Sequence, residues 1–228
     1  MSNSPKIEDF AEEMKIDEEE LYNSAIRLAI ALVTDVSGSM TGEPIIKLNG
    51  GMNLFFKEAK DDKQVARSAE VAIVTFGGIA KVELNFASVS NQRVPTLTAS
   101  GSTPMGAAVN LALDILDGRK KAYKKEGLEY YQPWMVLMTD GAPTDSIDEA
   151  AKRTSTLIMN KKLTIFPIGV GENANLKILE KFSPKRPPLR LKGYSFKEFF
   201  EWLIKSVSEQ SGHATNETLD TPDWPEKS

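Results

Sequence analysis

Cysteine is absent from the 228 residues of this chain, and histidine occurs once, as His213. Without cysteine there is no disulfide scaffold and no thiolate metal site. Apolar runs are short, and none approaches the roughly 20 residues that a membrane-spanning helix needs. Acidic residues rather than an apolar segment follow Met1–Lys6, so no signal peptide is indicated. We therefore expect a cytoplasmic protein that does not enter a membrane.

The net charge is also small, at −4. It is unevenly distributed, because residues 1–20 contain eight acidic side chains and two lysines. The rest of the chain is close to neutral and lacks the positive field that nucleic-acid binding usually requires, so no nucleic-acid partner is expected. A basic cluster at Arg119–Lys121 with Lys124 and Lys125 is interpreted as the solvated end of a helix, where cations are favoured. A partner-binding patch is the alternative.

Composition divides the chain into three regions. Residues 1–22 have weak apolar spacing interrupted by acids, and are interpreted as a weak helix or a disordered arm. Residues 211–228 are polar and contain two prolines, so they are predicted to be a mostly disordered tail. Residues 23–210 are predicted to form one folded domain.

Strand-like patterns recur along this domain. The strand candidates are residues 27–34, 71–76, 80–86, 134–139, 163–170 and, more weakly, 188–192. Most are continuous apolar runs, as expected for parallel strands that are covered on both faces. Residues 80–86 instead alternate apolar and polar side chains just after Gly77-Gly78, which predicts an antiparallel edge strand in a hairpin with 71–76. Pro167 predicts a bulge or an unpaired edge in the fifth strand.

Helical spacing fills the intervals between the strands. Apolar stripes run over residues 45–59, 105–116, 147–158 and 196–207, and a short helix is predicted near 174–182. Asn49-Gly50-Gly51 is a poor helix sequence, which close packing on the sheet or local strain would explain. The alternation predicts a doubly wound three-layer α/β/α sandwich with a mostly parallel sheet and one antiparallel edge strand. Ligands bind beyond the carboxyl ends of the strands in such sheets.

The segment Asp35-Val36-Ser37-Gly38-Ser39 directly follows the first predicted strand. Its carboxylate and two hydroxyls are hard oxygen ligands, which suit Mg²⁺, Mn²⁺ or Ca²⁺ better than zinc or copper. In a straight strand, residues four apart are separated by roughly 13 Å. The segment must therefore curl to bring them onto one ion, and Gly38 would permit this curl. Taken alone, the five residues fit an ordinary turn equally well.

Two further segments are expected at the same edge of the sheet. Asp140 ends the fourth predicted strand and is followed by Gly141, as the counterpart of Asp35 on what should be the neighbouring strand. Thr103 belongs to a long loop that precedes the second helix. By itself, residue 102 or 103 before Pro104 is best interpreted as a helix N-cap with Pro104 as the first helical residue. Together with the other segments, Thr103 is interpreted as part of a metal site.

These three segments resemble the von Willebrand factor A (VWA) domain and its metal-ion-dependent adhesion site (MIDAS). The resemblance covers about residues 27–209 and rests on Asp35–Met40, Gly101–Gly106 and Thr139–Gly141. It implies a Rossmann-like VWA fold for nearly the whole predicted domain.

The resemblance also implies a role for each matching position. Ser37 and Ser39 would bind a divalent cation, Mg²⁺ or else Mn²⁺ or Ca²⁺, directly through their hydroxyls. Thr103 would bind it directly or through water. Asp35 and Asp140 would lie close by and hold coordinated water. A partner protein would complete the shell with an Asp or Glu carboxylate.

Around this site, the predicted partner-binding rim comprises Met40, Thr41, Ser102, Gly141 and Ala142. Within the family, Ser39–Ile45 and Thr139–Asp145 are similar to the bacterial, tellurite-resistance-associated branch of the TerY and YegL proteins. That similarity implies a role in bacterial stress response or phosphorylation-linked signalling. It also implies a protein kinase and a PP2C-type phosphatase as partners.

A Mg²⁺-dependent phosphoryl-transfer or hydrolytic enzyme that uses Asp35 is the alternative from a different class. Phosphoryl-transfer sites with a nucleophilic aspartate typically carry a second acid two residues later, and here that position is Ser37. His213 lies in the polar tail, and no nucleotide-binding glycine motif follows the first strand. We therefore expect a binding module and not an enzyme. A further hypothesis, compatible with this one, treats the Ser/Thr-rich termini as phosphorylation sites.

Overall fold

The computed structural model of the chain describes residues 25–172 and 174–211. The predicted arm at residues 1–22 lies outside the described residues. So does the predicted tail, except for Ser211, which is the last residue of a helix. In the part of the chain that is described, no helix is long and apolar enough to cross a membrane.

Within these residues, six strands form one sheet in the order β3-β2-β1-β4-β5-β6. The strands are β1 Leu28–Asp35, β2 Ala69–Gly77, β3 Ile79–Ser88, β4 Trp134–Thr139, β5 Thr164–Val170 and β6 Leu189–Leu191. Neighbouring strands are parallel except β2 and β3, which pair antiparallel at the edge of the sheet. The prediction of a mostly parallel sheet with one antiparallel edge strand is confirmed.

Helices follow the strands in the predicted alternation. They are α1 Glu43–Asp61, α2 Lys63–Ser68, α3 Met105–Glu126, α4 Asp148–Met159, α5 Leu176–Glu180 and α6 Phe196–Ser211. Apolar spacing does not predict α2. Its signal is Asp62, whose Oδ1 accepts hydrogen bonds from the backbone N of Gln64 at 2.9 Å and of Val65 at 3.1 Å. These bonds make Asp62 the N-cap of α2.

Alternate side chains of β1 enter two separate hydrophobic cores, because successive residues of a strand point to opposite faces. Leu28 and Ile30 pack in the core that α1 and α6 cover. Ala29 and Ala31 pack in the core that α3, α4 and α5 cover. The three-layer α/β/α sandwich is therefore confirmed.

Two local expectations are also settled. β6 pairs only with Ile168–Val170, so the described sheet has β4 on one side of Pro167 and no strand on the other. The unpaired edge at Pro167 is thus confirmed. A Cβ added to Gly51 would lie 2.7 Å from Cδ2 of Phe200. The glycine therefore permits close contact between α1 and α6. The expected close packing is present, but its partner is a helix and not the sheet.

The strand order reverses at β1, which has β2 on one side and β4 on the other. In open α/β sheets, such a switch point leaves a crevice at the carboxyl ends of the strands. Asp35 ends β1 and Thr139 ends β4, so both lie at this crevice. The fold thus places the candidate site where ligands are bound in this architecture.

Candidate metal centre

Asp35 ends β1 as a fully buried side chain, with 0% of its surface exposed. Its Oδ1 accepts a 2.8 Å hydrogen bond from the backbone N of Ser37. Its Oδ2 accepts a 2.5 Å hydrogen bond from Oγ1 of Thr139. The first bond turns the chain after the strand, in the way that aspartate commonly bonds the backbone two residues on. The second joins the ends of β1 and β4, so Asp35 fixes two loops at once.

Ser37, Ser39 and Asp140 form a continuous row of side-chain oxygen atoms. Oγ of Ser37 lies 3.0 Å from Oγ of Ser39, and Oγ of Ser39 donates a 2.7 Å hydrogen bond to Oδ1 of Asp140. Adjacent oxygens of an octahedral Mg²⁺ shell are about 2.9 Å apart, given metal–oxygen distances of roughly 2.0–2.1 Å. The 3.0 Å separation of the two serine hydroxyls therefore matches that of neighbouring ligands on one small divalent cation, and the Asp140 carboxylate lies directly beside them.

The predicted curl after the first strand is present as a 3-10 turn over Gly38–Met40. Gly38 is not among the glycines with a left-handed backbone, so the curl does not depend on its conformational freedom. The left-handed residue is Gly42, with φ of 88°, at the N-cap of α1. The turn is held instead by the backbone N of Gly38, which donates a 2.9 Å hydrogen bond to the carbonyl of Gly101.

The Thr103 loop contacts the β2–β3 hairpin as well as the Asp35 loop. The backbone N of Gly78 donates a 2.7 Å hydrogen bond to the carbonyl of Ser102. A Cβ added to Gly101, whose φ is 78°, would lie 2.6 Å from the backbone N of Gly78. A Cβ added to Gly77 would lie 2.4 Å from the carbonyl oxygen of Val36. Glycine is therefore required where these three loops meet.

The side chain of Thr103 faces the same space as that of Ser39. A Cβ added to Gly141 would lie 3.8 Å from Oγ of Ser39 and 3.9 Å from Oγ1 of Thr103. The backbone N of Thr103 donates a 3.1 Å hydrogen bond to Oγ1 of Thr144, which fixes the loop against the segment after β4. The absence of a side chain at Gly141 leaves the space between the two hydroxyls open.

The interpretation of residues 102–103 as a side-chain N-cap is wrong. Helix α3 begins at Met105 without a side-chain cap at the preceding position. The backbone N atoms of Gly106 and Ala107 donate instead to the carboxylate of Asp145, at 3.0 and 2.8 Å. A carboxylate is favourable at a helix N-terminus. Because Asp145 supplies the cap from another loop, the Thr103 hydroxyl is not used for capping.

The predicted rim needs one correction. Thr41, Ser102 and Ala142 are exposed and Gly141 is half-buried, so these residues lie at the surface. Met40 is 1% exposed and packs in the core that α1 and α6 cover. Its placement on the rim was wrong, because the 3-10 turn directs this apolar side chain inward.

Burial and a neighbouring carboxylate both act on Asp35. Burial raises the pKa of the Asp35 carboxyl, and the negative charge of Asp140 adds to the rise, while hydrogen bonds from Ser37 and Thr139 oppose it. A divalent cation beside these groups would relieve both the burial cost and the repulsion. Among the described residues, no three His, Cys, Asp or Glu side chains form a metal-binding group. The donors are thus hydroxyl-rich and all oxygen, which fits Mg²⁺, Mn²⁺ or Ca²⁺.

Sequence reasoning missed two residues of the site. Thr139 holds Asp35, and the available signal was its position at the end of the strand neighbouring β1. Asp145 caps α3 from a loop 38 positions along the chain from Ala107, and no local pattern indicates that contact.

Residues 29–206 match the von Willebrand factor type A domain family, and the chain belongs to this family. A curated relative, the uncharacterized protein sll0103 of Synechocystis sp. (strain PCC 6803), is 25% identical over 165 residues. The match covers 70% of this chain and 36% of the relative. The chain therefore spans about a third of the length of that relative.

Solved structures share the fold. The vWF domain of the type V pilus tip protein Mfa5 from Porphyromonas gingivalis has a TM-score of 0.63 at 10% identity, covering 84% of this chain and 98% of that one. Proximal thread matrix protein 1 from the mussel byssus, with a zinc-occupied MIDAS motif, has a TM-score of 0.54 at 19% identity, covering 83% and 47%. Domains of this family often act as metal-dependent protein-interaction modules.

Proposed function

We propose that this chain is a divalent-metal-dependent protein-binding module of the MIDAS type. Ser37, Ser39 and Thr103 supply the hydroxyl ligands, with Asp35 and Asp140 beside them. The observation that carries the proposal is the row of oxygen atoms across Ser37, Ser39 and Asp140, with separations of 3.0 and 2.7 Å. Mg²⁺ is the proposed ion, with Mn²⁺ or Ca²⁺ as alternatives.

The donor set supports recognition of a partner's carboxylate. Ser37 and Ser39 are neutral ligands, so most of the positive charge of a bound cation remains available to an incoming anion. Mg²⁺ takes six oxygen ligands and usually keeps several waters, one of which an Asp or Glu of the partner would replace. Thr41, Ser102 and Ala142 are exposed around the site, so an approaching side chain meets small residues.

Burial of Asp35 disfavours the enzymatic alternative. A nucleophilic aspartate must reach its substrate, but this side chain is 0% exposed and both of its oxygens accept hydrogen bonds. We propose binding and not turnover. An assay of phosphate-ester hydrolysis with and without Mg²⁺ tests this point, and metal-dependent turnover that is lost in Asp35→Asn would contradict it.

The cellular role proposed is bacterial stress response or phosphorylation-linked signalling in the cytoplasm, with a protein kinase and a PP2C-type phosphatase as partners. The support is the similarity of Ser39–Ile45 and Thr139–Asp145 to the TerY and YegL branch. Neighbouring genes that encode such a kinase and phosphatase would strengthen the assignment.

Cell fractionation tests the proposed cytoplasmic location, because VWA domains also occur in pilus tip proteins such as Mfa5.

A capture experiment tests the module directly. Wild type, Ser39→Ala and the control Ser155→Ala in α4 serve as immobilised baits for the candidate kinase and phosphatase, in Mg²⁺ or in EDTA. We expect the wild type and Ser155→Ala to retain a partner in Mg²⁺ and to release it in EDTA, and Ser39→Ala to retain little. Replacing the contacting Asp or Glu of the partner by its amide should abolish retention. Retention that survives both EDTA and Ser39→Ala would overturn the proposal.

A further inference from the structure

A cleft of about 1020 Å³ opens at the edge of the sheet opposite the metal centre. Its walls come from the C-terminal parts of α3 and α4 and from the segments that lead into β4 and β5. Five lysines line this lysine cleft, namely Lys120, Lys121, Lys124, Lys161 and Lys162. Two of these lysines lie some forty positions after the other three in the chain, so the fold itself brings them together.

Two acidic residues, Asp117 and Glu129, also line the lysine cleft, so its positive charge is only partly balanced. Asp117 forms ion pairs with Lys121 at 2.8 Å and with Lys120 at 3.6 Å. The salt bridges of the described residues include none to Lys124, Lys161 or Lys162. Cations are favoured at helix C-termini, which accounts for lysines on each helix separately. Their convergence on one cleft creates a positive field that an acidic occupant would neutralise.

The chain enters the fold beside this cleft. The backbone N of Arg27 donates a 2.9 Å hydrogen bond to the carbonyl of Glu129, and the N of Tyr131 donates a 2.8 Å bond to the carbonyl of Arg27. Arg27 also pairs with Tyr130 in an isolated parallel bridge. Glu129 and Tyr130 both line the cleft. Arg27, two residues after the first described residue Ala25, is therefore bonded to the segment that contributes Glu129 and Tyr130 to the cleft.

That segment is the most acidic part of the chain, with eight acids and two lysines in residues 1–20. Its four consecutive acids, Asp17–Glu20, lie five to eight positions before Ala25. Eight extended residues span at most about 28 Å, which is enough to cross a cleft of this size. Charge and reach thus both match this segment to the five lysines.

We infer that the lysine cleft binds the chain's own acidic segment, Asp17–Glu20, by charge pairing within one molecule. An acidic partner protein, or the acidic segment of a second copy, would have to displace it. The cleft is at the opposite end of the strands from Asp35, so the inference does not depend on the metal site.

Zero-length carbodiimide cross-linking of the full chain tests the inference, because it joins carboxylates to lysines that form ion pairs. Mass spectrometry should find Asp17–Glu20 linked mainly to Lys124, Lys161 and Lys162. The yield should fall severalfold in about 0.5 M salt, since screening is then strong. In the double variant Lys161→Gln/Lys162→Gln, the yield of cross-links between Asp17–Glu20 and Lys124 should fall severalfold. The control Lys197→Gln/Lys205→Gln, on exposed positions of α6, should leave the yield unchanged.

An equal mixture of unlabelled and ¹⁵N-labelled protein separates the possible occupants. Links within one isotopic copy support the inference, whereas links mainly between copies would assign the cleft to a second molecule and overturn it. Links spread evenly over all exposed lysines would also overturn it. As a second measurement, the full chain with Asp17→Asn, Glu18→Gln, Glu19→Gln and Glu20→Gln should shift the amide resonances of Lys161 and Lys162. Unchanged resonances there would contradict the inference.

Discussion

Oγ1 of Thr139 donates a 2.5 Å hydrogen bond to Oδ2 of Asp35, across 104 positions of the chain. The other carboxylate oxygen accepts the backbone N of Ser37 at 2.8 Å. The ends of β1 and β4 are therefore held together by one buried carboxylate. These bonds within the protein position the loops that carry Ser37, Ser39 and Asp140.

Thr139→Val tests this positioning role. The substitution keeps the shape of the side chain but leaves Oδ2 of Asp35 without its donor. An unsatisfied buried acceptor costs about 1–3 kcal/mol, so we expect urea denaturation to show a loss of that size in the free energy of unfolding. Calorimetric titration should also show weaker Mg²⁺ binding, because Asp35 then orients the Ser37 loop less firmly.

Thr34→Val is the matched control for Thr139→Val. Thr34 is a buried threonine of β1, and its Oγ1 has no hydrogen-bond partner. Removing an unpaired buried hydroxyl is neutral or stabilising, so the free energy of unfolding should stay equal or rise. Equal losses in the two variants would mean that the bond to Asp35 contributes nothing specific.

Gly101→Ala tests the contact between the Thr103 loop and the β2–β3 hairpin. The added Cβ would lie 2.6 Å from the backbone N of Gly78, so the loop must move and Thr103 with it. We expect Mg²⁺ affinity to fall at least about tenfold, the equivalent of about 1.4 kcal/mol. Gly127→Ala is the control, because Gly127 has a similar φ of 71° but open space around it. If titration shows the same affinity for both variants, the clash has no effect on the site.

Bound metal should stabilise the fold. At a hundred times the Kd, a ligand that binds only the folded state adds about 2.7 kcal/mol to the free energy of unfolding. Denaturation with Mg²⁺ and with EDTA should show an increment of this order for the wild type and for Ser155→Ala. In Ser39→Ala the increment should be much smaller, since a hydroxyl ligand is lost. An increment that is identical in Ser39→Ala would place the bound cation elsewhere.

A buried ion pair at the opposite end of the sheet tests whether the stability of the fold can change without a change in metal binding. Glu70 is 2% exposed and accepts hydrogen bonds from Arg119, at 2.5 and 2.8 Å, and from Tyr123 at 2.7 Å. Arg119→Met leaves this carboxylate without its cation, which typically costs about 3–5 kcal/mol. We expect lower stability in urea denaturation but unchanged Mg²⁺ affinity. Lys121→Met, at an exposed position, should leave both unchanged.

Much of the fold was predictable because its signals are local. The apolar runs of β1, β4 and β5 indicate strands that are buried on both faces. The alternation of apolar and polar side chains over residues 80–86 indicates the half-exposed edge strand β3. The same logic placed Asp35 and Asp140 at the ends of neighbouring strands. α2 was missed because six residues are too few for an apolar stripe, although Asp62 marks its start.

The remaining features depend on contacts that no local pattern contains. The carboxylate of Asp145 caps α3 across 39 positions, measured to Gly106, which excludes the N-cap alternative for residues 102 and 103 and leaves the metal-site interpretation of Thr103. Met40 directly follows the exposed residues Gly38 and Ser39, yet the 3-10 turn buries it. Gly51 meets Phe200 of a helix that lies far along the chain. Such details follow from packing between distant elements.

Titration of the metal-free protein with Mn²⁺, followed by electron paramagnetic resonance, tests the central claim most directly. The account predicts one site in the wild type, competition by Mg²⁺, and at least tenfold weaker binding in Ser39→Ala and in Asp140→Ala. A wild type that binds no Mn²⁺, or variants that bind it as tightly as the wild type, would contradict the account.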